Sequence, residues 1–165
     1  MKRILVLVLT LLTVLALSSC NGESEPPENL GEGYVFKTKG VTIQIAAETA
    51  PILASLGKEL DYTESNSCYF TGKDKIYTYA GFEIHTYPTA TGDHVNRVVL
   101  LDDTVETEEG IRIGSSKAEV LTAYGEATSK DVESWDYDVG NTMCLRIFFE
   151  GETVDLIQYL HPQAK

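Results

Sequence analysis

The sequence has few basic residues, and this scarcity excludes one class of partner. Its 13 lysines and arginines are outnumbered by 25 aspartates and glutamates, so the formal net charge is −12. An acidic chain repels nucleic acid and gains no electrostatic attraction to anionic lipid. We therefore expect no nucleic-acid partner. We expect the acidity to serve solubility, and attraction of a basic partner is the alternative.

Histidine is also scarce, which argues against a metal site. No two of the three histidines have the spacing of zinc ligands. Asp93-His94 lies in a stretch rich in Gly and Thr and is expected to form a polar turn. Asp102-Asp103 lacks the series of ligands of an EF-hand and is expected to end a strand. We predict no metal and no cofactor. The histidines are His85, His94 and His161.

Motifs of catalysis are missing as well. Ser115-Ser116 has no nucleophile-elbow context, and residues 110–114 lack the Lys-Ser/Thr ending of a phosphate-binding loop. No pair of carboxylates stands out from the general acidity. We therefore predict no catalytic residues and no enzymatic activity.

The chain has three cysteines, at positions 20, 68 and 144. An exported protein can join a pair of cysteines as a disulfide. The sequence leaves two possibilities open for Cys68 and Cys144. They form a bridge, or they remain separate thiols that pack as small apolar groups.

The first residues lack an apolar run long enough to span a bilayer. The run from Ile4 to Leu17 is shorter than the roughly 20 residues that a membrane helix needs. Because it follows Lys2-Arg3, it indicates a secretory signal peptide over residues 1–19. The run ends on Leu-Ser-Ser-Cys, which resembles a bacterial lipobox. That resemblance implies that Cys20 becomes the N-terminus and carries lipid, which would hold the protein at the cell membrane on its extracytoplasmic side.

Residues 20–33 have almost no apolar side chains. The stretch NGESEPPENLGEG has three glycines, two prolines and four glutamates. Such a composition cannot bury enough surface to offset the entropy of the chain. We predict a flexible tether between the lipid and a folded domain.

Two stretches further along the chain share one pattern. Residues 40–57 read GVTIQIAAETAPILASLG, and residues 110–125 read GIRIGSSKAEVLTAYG. Each copy begins with Gly, a β-branched residue, any residue and Ile. A polar or small stretch follows, then an aliphatic pair, and Gly ends the copy. Each copy predicts a short extended piece followed by a helix of about two turns. The repetition indicates a duplicated structural unit.

The predicted helices also have end signals. Ser116 and Glu119 fit a capping box at the start of the second helix. Thr49 has a side chain that can cap the first helix. Gly57 and Gly125 suit the C-terminal ends of the two helices.

After each predicted helix the apolar period changes to two, which indicates strands. The links between them are short enough for antiparallel hairpins. The sequence therefore predicts an α+β fold of two tandem helix-plus-antiparallel-meander units, residues 34–104 and residues 105–165. The predicted strands are 67–70, 75–79, 82–87, 95–101, 134–138, 143–149 and 153–159.

The pattern at 110–125, with its partial copy upstream, resembles the β-lactamase-inhibitor-protein-like fold. This group includes small outer-membrane lipoproteins of the SmpA/OmlA kind. The runs SCYFTGKDKIYTYAGFEIHTYP and DDTVETEEGIRIGSSKAEV are similar to uncharacterised lipoproteins of gut Firmicutes. The resemblance covers about residues 34–160 and implies a fold rather than an activity. The inhibitor protein has disulfides within each unit, whereas each unit here has one cysteine, and none of its inhibitory loop residues can be matched here.

Strand alternation selects a candidate binding surface. His85 and Tyr87 share one face of their predicted strand, and Arg146 and Phe148 share one face of theirs. An open antiparallel sheet shows one face to water, and aromatic and arginine side chains dominate the binding energy of protein interfaces. The alternative is that these residues belong to the core or the rim of a small domain.

Together these observations predict a lipid-anchored extracytoplasmic binding or scaffold protein with a protein partner. The candidate binding residues are His85, Tyr87, Arg146 and Phe148. The alternative, which the resemblance implies, is an inhibitor of a secreted or cell-envelope enzyme.

Overall fold

A computed structural model describes residues 33–139 and 143–161. The predicted signal peptide, Cys20 and the tether up to residue 32 lie outside the described residues. Each of the two helices within the described ranges is too short to cross a membrane.

Ten strands and two helices make up this part of the chain. The strands of the first half are β1 Phe36–Thr38, β2 Val41–Ile43, β3 Asp61–Asn66, β4 Lys73–Tyr79, β5 Phe82–Pro88 and β6 Asp93–Leu100. Those of the second half are β7 Ser129–Lys130, β8 Ser134–Val139, β9 Met143–Glu150 and β10 Thr153–Leu160. The helices are α1 Thr49–Leu56 and α2 Lys117–Tyr124.

Eight of the strands form one antiparallel sheet, in the order β3-β4-β5-β6-β10-β9-β8-β7. Its centre is the pair of β6 with β10, which aligns Leu100 with Ile157 and Val98 with Tyr159. β1 and β2 form a separate hairpin. The pairing of β6 with β10 joins the strands of both halves of the chain into one sheet. Each face of this sheet therefore carries side chains from both halves.

The core lies on one face of this sheet. Alternate residues of β5 and β9 are buried, among them Phe82, Ile84, Leu145 and Ile147. They pack in one cluster with residues of the hairpin and the helices. The Phe36 ring of β1, for example, lies 5.1 Å from that of Phe82. The opposite face carries partly exposed residues of β5 and β9 beside the buried Val99, Cys144 and Leu160, and we call it the open face.

The two helices end in the same way but begin differently. Ser116 caps α2, and its side chain and that of Glu119 form the predicted capping box. α1 starts after Glu48, which makes no side-chain cap, so the predicted cap by Thr49 is wrong. Gly57 and Gly125 end the helices at φ 79° and 72°, a region that favours glycine.

The prediction of an α+β fold with two tandem helix-plus-meander units is wrong. The described chain is mostly β, with ten strands in two antiparallel sheets and two helices. Each helix has eight residues, and the side chains that they bury are only those of Thr49, Ile52 and Val120. The strands supply most of the core, and their hydrogen bonds join them across the chain into one large sheet.

Most predicted strands are confirmed within one or two residues, but the first is wrong. Residues 67–70 form a turn, and the strand before it is β3, at 61–66. In that turn the Ser67 hydroxyl accepts hydrogen bonds from the backbone N–H groups of Tyr69 and Phe70. β3 escaped prediction because DYTESN has no apolar alternation. The short extended piece expected at the start of the second copy, just after Gly110, is not a strand.

Candidate functional site

The open face collects all four predicted binding residues. His85 and Tyr87 alternate with buried residues of β5, and Arg146 and Phe148 alternate with buried residues of β9. Two strands, β6 and β10, separate β5 from β9. At the usual strand spacing His85 and Arg146 are therefore on the order of 14 Å apart. The four residues share a surface without forming one contact cluster.

An ion pair between Arg146 and Asp136 lies in the β9 half of the open face. The register places the two residues opposite each other on β9 and β8. Arg146 Nε and one terminal nitrogen each donate to an Asp136 carboxylate oxygen at 2.6 Å. Only 15% and 9% of the two side chains are exposed. The bond to Asp136 raises the pKa of the Arg146 guanidinium, so the arginine stays charged. The two hydrogen bonds hold it in a fixed orientation.

A second arginine extends the polar surface towards β5. Arg97 on β6 is the register partner of His85. Burial, followed by the charge of Arg146, lowers the pKa of the Arg97 guanidinium. The two guanidinium groups therefore influence each other across the centre of the sheet. Sequence reasoning missed Arg97 as a surface residue, although Arg97 lies in the strand predicted at residues 95–101.

His85 is paired with a carboxylate. Its Nε2 lies 3.0 Å from Glu83, whose other carboxylate oxygen accepts a hydrogen bond from the Thr78 hydroxyl at 3.2 Å. A histidine and a carboxylate can form part of a general base, but a nucleophile must be within hydrogen-bond reach of the imidazole. Among the described residues His85 makes no hydrogen bond to a hydroxyl or thiol group. This pair is better suited to a polar contact than to catalysis.

An aromatic group lies at one end of β5. The ring of Tyr87 is 5.1 Å from that of Phe70 and 5.9 Å from that of His94. Phe70 comes from the turn that was expected to be a strand, and the neighbouring Tyr69 is 91% exposed. The signal that could have placed this turn is Thr71-Gly72, a turn dipeptide at its end.

Phe148 lies in the other half of the open face. Its register partners are Leu156 on β10 and Ser134 on β8. All three side chains are partly buried. The Phe148 side chain is therefore partly accessible to solvent and lies between neighbours on both adjacent strands.

The two cysteines of the folded part are separate thiols. Cys68 is exposed in the turn after β3, and Cys144 is buried on β9. Burial, helped by a hydrogen bond with Asp138, raises the pKa of the Cys144 thiol to about 12. No disulfide joins these two cysteines in this structure.

The described residues contain no group of three or more His, Cys, Asp or Glu side chains arranged to hold a metal ion. Asp93 and His94 begin β6, so the polar turn expected for them is wrong. The His94 ring lies within hydrogen-bond distance of the Thr89 hydroxyl and the Gly92 carbonyl, and Asp93 pairs with Lys75. The Asp102 carboxylate accepts hydrogen bonds from the N–H and hydroxyl of Thr104 and so forms a tight turn.

Comparison with protein-family models, curated proteins and solved structures gives no match to this chain. The resemblance to the β-lactamase-inhibitor-protein-like fold and to small lipoproteins therefore stays a prediction.

Proposed function

We propose that this chain is a lipid-anchored extracytoplasmic binding or scaffold protein that holds a protein partner on its open face. One observation carries the proposal. His85, Tyr87, Arg146 and Phe148 lie on the same face of one continuous sheet, whereas the other face is buried in the core.

The chemistry of this face supports a protein partner. It combines two aromatic rings, two arginines and a histidine–carboxylate pair, spread over several strands. Aromatic and arginine side chains contribute most to the energy of protein interfaces. They spread over on the order of 14 Å of the sheet instead of converging on one pocket, which favours the extended surface of a protein interface.

The anchor in the proposal rests on sequence alone. The basic start, the short apolar run and the lipobox-like Leu-Ser-Ser-Cys favour lipid on Cys20. Lipid at the N-terminus would confine the folded part to the neighbourhood of the membrane.

Site-specific photocrosslinking in intact cells tests the binding face. A photoreactive amino acid replaces Tyr87 or Phe148 on the open face. As a matched control it replaces Leu121, an exposed residue of α2 on the other side of the molecule. We expect a discrete crosslinked partner from the two open-face positions and none from Leu121. Crosslinks from Leu121 alone would contradict the proposal.

Inhibition of a secreted or cell-envelope enzyme is the second candidate, and the turn after β3 favours it. An inhibitor needs an exposed and well-held element that enters an active site. Tyr69 is 91% exposed, and the Ser67 hydroxyl fixes the backbone beside it. If Tyr69→Ala abolishes inhibition of an enzyme captured by crosslinking while Phe148→Ser does not, the inhibitor function replaces the scaffold function.

A further inference from the structure

The two edges of the eight-stranded sheet are built differently. β7 has only two residues, and one of them is Lys130. Short length and lysine are two ways in which proteins prevent an edge strand from pairing with other chains. β3, at the opposite edge, has six residues, all exposed, with neither lysine nor proline. Its pairing with β4 runs without a break from residue 61 to residue 66. In the part of the chain that the structure describes, this edge is regular and has neither of these two protections.

The register shows which backbone groups of β3 point away from the sheet. The N–H of Ser67 donates to the carbonyl of Gly72 across the turn, at 3.0 Å. In an antiparallel pair alternate residues bond to the partner strand. Residues 61, 63 and 65 therefore face β4, and the N–H and C=O groups of Tyr62, Glu64 and Asn66 point to the free edge. These groups can pair with a further strand.

Exposed apolar side chains concentrate at the same edge. The described residues include seven large hydrophobic side chains that are exposed, and four of them lie within residues 60–70. Leu60 is 74% exposed at the start of β3, and Tyr62 is 39% exposed within it. Backbone groups and apolar side chains are thus available together, which is the combination that β-strand addition uses. The four residues are Leu60, Tyr62, Tyr69 and Phe70.

The charge of β3 and of the whole chain determines which kind of segment can pair with β3. β3 carries Asp61 on one face, while Glu64 lies on the face of Tyr62 and is already paired with Lys73, and the whole chain has a net charge of −12. A second copy of the chain would bring two acidic strands and two acidic molecules together. A basic segment would instead be attracted by Asp61 and by the net negative charge of the chain. The alternation of β3 sets its pattern, with apolar side chains beside Tyr62 and basic side chains on the face of Asp61.

We propose that β3 is a docking strand that takes an extended, alternating basic and apolar segment of a partner protein as a ninth strand of the sheet. This docking surface is the edge of the sheet, outside the four open-face residues, and the proposal depends neither on the lipid anchor nor on the function proposed above.

A peptide probe tests the proposal with the full chain purified in detergent. The probe is a fluorescent hexapeptide of alternating lysine and valine, and its binding is measured by fluorescence anisotropy. The key variant is Glu64→Pro, because proline removes the N–H that points to the free edge and leaves the bonds to β4 in place. Glu64→Ala is the matched control, because it also removes the carboxylate but keeps the N–H. We expect Glu64→Pro to bind about tenfold more weakly than Glu64→Ala.

Hydrogen exchange gives a second readout that does not depend on a variant. Bound peptide should slow exchange of the amides of Tyr62 and Glu64 by about tenfold or more, while the amide of Thr63, which already faces β4, changes little. Circular dichroism must show that both variants are folded.

Three outcomes would overturn the proposal. The first is no binding of the lysine–valine peptide up to about 1 mM. The second is equal binding by Glu64→Pro and Glu64→Ala, or equal binding of a glutamate–valine peptide. The third is a dimer in sedimentation that Glu64→Pro dissociates, which would assign this edge to a second copy of the chain.

Discussion

Arg146 and Asp136 face each other across β9 and β8 and form two hydrogen bonds of 2.6 Å. Both side chains are largely shielded from solvent, with exposed fractions of 15% and 9%. The arginine expected to be a free binding residue is therefore also part of the structure of the sheet. An arginine held in this way can contact a partner only through the remaining edge of its guanidinium group.

Removing Arg146 should destabilise the fold. Arg146→Ser would leave the Asp136 carboxylate poorly solvated and without its partner, which we expect to cost about 3 kcal/mol of unfolding free energy. Urea denaturation followed by circular dichroism measures this. The double variant Arg146→Met/Asp136→Leu removes both charges and should lose clearly less. Equal losses in the single and double variants would show that the lone carboxylate is not the cause.

Cys20 should decide where the protein is found. Cys20→Ala should release the chain from the membrane fraction and abolish labelling by a fatty-acid probe, because a single thiol carries the proposed anchor. Cys68→Ala is the matched control and should leave both properties unchanged. Full labelling of Cys20→Ala would refute the lipoprotein assignment.

The two thiols of the folded part should differ in reactivity. Iodoacetamide at pH 8 should modify exposed Cys68 quickly and spare Cys144, because burial raises the pKa of the Cys144 thiol to about 12 and only a thiolate reacts. Mass spectrometry of tryptic peptides identifies the modified residue. In urea both should react. Rapid modification of Cys144 in the native protein would contradict its buried position.

Tyr137 should make the fold sensitive to alkali. Burial, together with the charges of Tyr34 and Glu126, raises the pKa of Tyr137 to about 12, whereas an unfolded tyrosine titrates at about 10. The folded state therefore favours the neutral phenol. Its contribution is complete below pH of about 10 and is lost as the pH rises towards 12.

Urea midpoints at a series of pH values between 8 and about 12 measure this loss. Tyr137→Phe cannot ionise at this position and should show a shallower decline over the same window. If the variant declines as steeply as the original protein, other groups account for the alkaline transition.

Local patterns predicted the individual elements better than their assembly. In β5 the alternation of Phe82 and Ile84 with His85 and Tyr87 gave both the strand and its open face, because a period of two fixes which side chains are buried. The same reasoning placed Arg146 and Phe148. A glycine with positive φ was expected at the end of each helix for a similarly local reason.

Pairing between distant strands has no local signal, and this is where prediction was wrong. Nothing in the run around Val98 shows that its strand pairs with the one containing Tyr159, so two units were expected instead of one sheet. The ion pair of Arg146 with Asp136 also depends on register, which turns and packing set. β3 was missed because an exposed edge strand needs no apolar alternation.

The central position of β6 and β10 has a consequence for synthesis and export. About sixty residues separate Leu100 from Ile157 along the chain, yet they are direct neighbours in the sheet. Contacts of such long range form late, since the entropy of closing the loop must be offset first. Until β10 has formed, the edge of β6 that pairs with it is exposed together with apolar side chains, and another chain can bind there. A chaperone that binds the unfinished sheet, or rapid formation of β10, would then favour folding over aggregation.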